Sequence, residues 1–107
     1  MNHGLPAITA EKISGVLSRH PEVERAILYG SRAKGNFKPG SDIDLTLMGA
    51  GLDERIRSRI DEELEELLLP YECDISVFSN LTHAPLRDHI RRVGVVLYER
   101  EPADAKR

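Results

Sequence analysis

"LYGSRAKGNFKPGSDIDLTLM", residues 28–48, joins a loop punctuated by Gly and Pro to a segment in which carboxylates alternate with large apolar residues. Side chains alternate across a β-strand. In "DIDLTLM", Ile43, Leu45 and Leu47 therefore face one way, and Asp42 and Asp44 face the other. Residues two apart lie about 6.5–7 Å apart along a strand, so both carboxylates can converge on cations spaced ~3.5–4 Å apart. "ECDISVF", residues 72–78, repeats the pattern, with Cys73, Ile75 and Val77 on one face and Asp74 and Ser76 on the other. If the two strands are neighbours with aligned faces, Asp74 joins Asp42 and Asp44. Clustered carboxylates repel one another unless something positive sits between them. Hard oxygen ligands of this kind suit Mg²⁺ or Mn²⁺.

An Asp at a strand start is commonly a turn or cap residue, so a lone "DxD" carries little weight. The preceding loop adds the rest. Gly30 at the end of the preceding strand lets backbone N–H groups approach a phosphate closely. Ser31 can donate a hydroxyl hydrogen bond to a phosphate oxygen. Arg32, Lys34 and Lys38 lie in the same loop and could touch phosphates, although a solvated basic loop would look the same.

Gly30-Ser31, ten intervening residues and Asp42-Ile43-Asp44 resemble the Gly-Ser-x10-Asp-x-Asp signature of DNA polymerase β-like nucleotidyltransferases. With Gly near 7% of residues and similar frequencies for Ser and Asp, chance supplies these four positions in roughly one chain in a thousand of this length. The likeness is greatest to the minimal nucleotidyltransferases (MNT), a family of small prokaryotic proteins. It extends to "CDISVF" and "HIRRVGVVLYE", which look like that family's closing elements.

The resemblance implies a polymerase β palm-like fold and a two-metal nucleotidyl transfer from ATP. Asp42 and Asp44 would bind two Mg²⁺ ions, with Mn²⁺ as a substitute. Asp74 would be the third carboxylate, near the acceptor hydroxyl. Gly30 and Ser31, with Arg32 beside them, would hold the nucleotide's phosphates. Larger relatives carry a second domain for the acceptor, so here the acceptor would arrive on a separate chain. In the MNT family that chain is commonly a HEPN-domain toxin, and adenylylation of a toxin tyrosine by its antitoxin is the implied activity. Two other functions remain open. The domain could neutralise a partner by occlusion without catalysis, or it could modify a small hydroxylated antibiotic.

Composition sets the frame. A chain of 107 residues and 12.0 kDa suits one domain, residues 1–107, with 101–107 expected to be a flexible tail. A net charge of −3 argues against a large, stable nucleic-acid surface. Cys73 is the sole cysteine, so an intramolecular disulfide is excluded and a Cys-based zinc site disfavoured. No apolar run is long enough to span a bilayer, and the N-terminus lacks a signal core. The cytoplasm is the expected compartment.

Periodicity predicts helix, strand, strand, helix, strand, helix, strand, with one helical turn at "SRAKG". This is an α/β (α+β) order, a mixed sheet of about four strands covered by helices. Thr9 is the expected first N-cap, with Ile8 and Ile13 as a hydrophobic staple. Asp53 is expected to cap a helix whose stripe is Ile56, Ile60, Leu64, Leu67 and Leu68, stopped by Pro70. Leu86, Ile90 and Val93 form the next stripe, closed by Gly94. "DEELEE" and "RDHIRR" read as solvated faces. His83 and His89 read as surface or cap residues, and His20 and Tyr29 need no chemical role.

Overall fold

Alternating apolar residues in two segments and short apolar runs in two others form four strands, and the intervening stripes of helical period cover them. The computed structural model describes residues 5–35 and 42–100. The elements run α1 (Ala7–Ser18), β1 (Arg25–Tyr29), α2 (Ser31–Lys34), β2 (Ile43–Met48), α3 (Glu54–Glu65), β3 (Cys73–Val77), a 3-10 turn (Phe78–Asn80), α4 (Ala84–Val93) and β4 (Val95–Glu99). The sheet has four strands in the order β3-β2-β1-β4. β3 lies parallel to β2, while β1 is antiparallel to β2 and β4. The expected order and the mixed α+β sheet are both present.

One face of the sheet carries the core. Ala26 and Leu28 of β1, Ile43, Leu45 and Leu47 of β2, and Ile75 of β3 pack with Ile13, Val16 and Leu17 of α1 and Ile60 and Leu64 of α3. Full burial of one such side chain contributes about 1.5–3 kcal/mol. The strand parity puts Ile27, Thr46 and Ser76 on the other face, and α4 contacts β1 there. Buried Thr46 accepts a hydrogen bond from Ser76 Oγ at 2.9 Å, so its hydroxyl is satisfied inside the sheet.

Asp53 caps α3 as expected, its Oδ1 accepting from Ile56 N at 2.9 Å. Several local expectations are corrected. Pro6, not Thr9, is the N-cap of α1. Its carbonyl accepts from Ala10 N and starts the first turn, while Thr9 is buried within that turn and Ile8 is exposed. α3 ends at Glu65, well before Pro70. Leu68 then takes a left-handed conformation (φ 55°) and is 87% exposed, so it leaves the stripe. Gly94 closes α4 at an ordinary negative φ of −62°. Glycine is needed there for room, since a Cβ would overlap the Ile90 carbonyl and the Ile27 side chain.

Lys38 and the segment 101–107 lie outside the described residues. Among the described residues, no helix is long and apolar enough to cross a membrane.

Candidate active site

Strand register decides which functional side chains meet. Across β2 and β3, Asp44 stands opposite Asp74. Across β1 and β2, Tyr29 stands opposite Asp44. Tyr29, Asp44 and Asp74 therefore form a row over three strands, on the face away from the main core, with Asp42 just before β2. The alignment required for Asp74 to join the pair is the one the sheet adopts. Asp42 and Asp74 are exposed and Asp44 is half-buried.

The electrostatics follow from this row. Burial pushes the Asp44 carboxyl above the usual carboxylate range, and the negative charges of Asp74 and Asp42 push it further. Burial likewise raises the Tyr29 hydroxyl, opposed by its hydrogen bond with Ser76 and reinforced by Asp44 and Asp74. The row is thus a patch of mutually repelling negative charge. The side chains do not close on one point: among the described residues, no three His, Cys, Asp or Glu groups are placed together to hold an ion. What they offer is an all-oxygen donor set at one end of three adjacent strands, which is the chemistry hard divalent cations require.

Gly30 follows Tyr29 directly. Its backbone (φ 79°, ψ −152°) lies in a region essentially restricted to glycine. A Cβ there would also overlap Asp44 Oδ2. The turn and the carboxylate row are therefore built against each other, with only a glycine between them. Ser31 opens α2, and Gly35 ends it in a left-handed conformation (φ 87°, ψ 2°). The expected single helical turn is present.

The basic side chains of the loop separate. Arg32 is 2% exposed, with its guanidinium carbon 4.9 Å above the Tyr71 ring, an arrangement that favours cation–π attraction. Lys34 is exposed.

Two residues gain partners that sequence reasoning did not foresee. His89 is neither a surface nor a cap residue: it is half-buried, its Nε2 accepts from Gly30 N at 3.4 Å, and its ring meets Tyr29 edge-on at 6.4 Å. Its one available signal was its place on α4, three residues after Leu86 and beside Ile90, which puts it at the margin of the buried stripe. Glu63, within the acidic run, receives His20 Nε2 at 2.9 Å and so ties α3 to the end of α1.

The polymerase beta nucleotidyltransferase family profile matches residues 11–103. The "Probable protein adenylyltransferase MntA" of Haemophilus influenzae is 38% identical over 74 residues, which cover 68% of this chain and 64% of that protein. The match therefore spans somewhat less than two-thirds of the length of that relative. Among solved structures, a toxin–antitoxin with AMP-PNP superposes with a TM-score of 0.70 at 23% identity, covering 91% of this chain and 78% of that one. A chain from the complex of tri-AMPylated Shewanella oneidensis HEPN toxin with MNT antitoxin gives a TM-score of 0.65 at 20% identity, covering 92% and 76%. At such identities the structural likeness concerns the fold.

Proposed function

Because this chain belongs to the polymerase beta nucleotidyltransferase family, we propose that it transfers AMP from ATP to a hydroxyl group of a HEPN-type toxin and so acts as the antitoxin. The observation that carries this reading is the register of Asp44 against Asp74, with Gly30 packed directly on the Asp44 carboxylate. The Gly30 turn and the carboxylates thereby lie at one end of the strands. The similarity to MntA supports a protein as the acceptor.

In this reading Asp42, Asp44 and Asp74 would hold two Mg²⁺ ions. Cations held there would supply charge neutralisation for the triphosphate and for the attacking oxygen. Ser31 donates its hydroxyl to a phosphate oxygen, and Gly30 keeps the turn close enough for that bond. Arg32 follows directly, buried with its guanidinium over the Tyr71 ring. Asp74, exposed on β3, would accept the proton from the acceptor hydroxyl. The acceptor oxygen forms its bond to the α-phosphorus as the bond to pyrophosphate breaks. Such transfer demands positioning and charge neutralisation more than covalent help from the protein. Residues 1–107 act as one unit in this scheme.

The test is transfer of label from ATP carrying it on the α-phosphate, with Mg²⁺ and lysate of the source cell. A labelled protein band with wild type, absent with Asp42→Asn/Asp44→Asn, is the expected result. No label, with a partner retained equally by both forms, would replace transfer with occlusion.

A further inference from the structure

We infer that His89 is a positioning residue for the Gly30–Ser31 turn: its imidazole holds the Gly30 amide and thereby sets the turn for nucleotide. The inference rests on the nucleotidyltransferase reading of that turn. His89 of α4 lies 59 residues further along the chain from Gly30, yet it makes two contacts at one spot. Its Nε2 accepts the Gly30 N–H at 3.4 Å. Its ring packs edge-on against Tyr29, with centroids 6.4 Å apart and planes at 79°.

Both contacts fall at the junction where β1 stops and the turn begins. Tyr29 is also held across the sheet, opposite Asp44, whose carboxylate crowds Gly30. Ser76, on the same face, donates to Thr46.

The chemistry constrains the imidazole. A ring nitrogen accepts a hydrogen bond only when it carries no proton, so His89 must be neutral with its proton on Nδ1. Glycine, lacking a Cβ, has little intrinsic preference for the conformation Gly30 adopts over others. An acceptor reaching it from a packed helix supplies that preference. The Gly30 N–H would otherwise be a half-buried donor without a partner, which is costly. His89 touches neither phosphate nor acceptor in this scheme and acts only through the turn.

Two measurements test it. In isotope-labelled protein at neutral pH, long-range ¹⁵N spectra of the His89 ring should show Nε2 unprotonated and the proton on Nδ1. A proton on Nε2 overturns the inference. In calorimetry with ATP and Mg²⁺, His89→Leu keeps the bulk and loses the acceptor, whereas His89→Gln places an amide oxygen near the former Nε2. Loss of one hydrogen bond predicts affinity about tenfold weaker for His89→Leu. His89→Gln should stay within about threefold of wild type, since the bond is kept. Equal affinity in all three proteins, or equal loss in both variants, overturns it. If wild type binds no ATP, the nucleotide reading fails, and the ring-nitrogen spectrum still decides the contact.

Discussion

Asp44 faces Asp74 across two parallel strands while its carboxylate presses against the backbone of Gly30. The fold thus holds like charges together beside a turn that tolerates no side chain. Such an arrangement costs stability in the protein alone, because burial and like charge both oppose ionisation of Asp44.

The first prediction follows from that cost. The Asp44 carboxyl is raised by burial and by its acidic neighbours. A raised carboxyl pKa destabilises the fold wherever the group must be charged. The penalty is absent below the unfolded value and grows as pH rises through the folded one. Asp44→Asn removes the charge and keeps the shape. It should raise stability at neutral pH by about 0.5–2 kcal/mol without Mg²⁺ or nucleotide and abolish AMP transfer. Calorimetric melting checks the first outcome, and a fall in melting temperature would count against the repulsion.

The second prediction contrasts two glycines of the same loop. Gly30 combines a glycine-only backbone with a blocked Cβ position, whereas Gly35 has positive φ and open space. Gly30→Ala should cost about 2–4 kcal/mol and abolish nucleotide binding. Gly35→Ala should cost only about 1 kcal/mol, the ordinary left-handed penalty. Urea unfolding of both variants separates them, and equal costs would mean the Asp44 contact is unimportant.

Much of this was legible in one sequence because it depends on period two. The alternation in residues 42–48 and 72–78 indicated which aspartates share a face, and the glycine at position 30 marked the tight turn beside them. Two kinds of feature escaped. Helix ends depend on local competition: Pro6 displaces Thr9 as cap, and Leu68 leaves the stripe in a left-handed turn. Long-range polar pairs leave no local trace. His89 reaches Gly30, and His20 reaches Glu63, only because the sheet and helices bring distant segments together.

The third prediction concerns that second pair. The hydrogen bond from His20, aided by the charges of His20, Arg19 and Arg59, lowers the Glu63 carboxyl from its usual value, against a smaller opposing effect of burial. A depressed carboxyl contributes stability above the unfolded value and loses it as pH falls through the folded value. Glu63→Gln should therefore flatten the acid side of the stability curve below about pH 4.5, with little change at neutral pH beyond ~1 kcal/mol. Melting temperatures from pH 3 to 7 provide the check, and parallel curves would show that the pair contributes nothing electrostatic.

The last prediction concerns Arg100, at the end of β4. Its Nε donates to the Val23 carbonyl at 3.2 Å, and its Nη2 donates to those of Ser18 and His20 at 2.9 and 3.1 Å. Its own amide bonds Glu24 O at 2.8 Å. One guanidinium therefore satisfies carbonyls at the end of α1 and in the connection to β1. The planar fork can reach several acceptors at once, which a lysine ammonium on a flexible stem does poorly. Arg100→Met retains apolar length and leaves these carbonyls to water, so it should cost about 1–3 kcal/mol. Arg100→Lys should recover less than half of that loss. Hydrogen exchange would localise the effect to the amides of Val23 and the last turn of α1, while those of Asp44 and Asp74 keep their protection. Uniform loss of protection, or full recovery by lysine, would show that charge rather than the fork holds this corner.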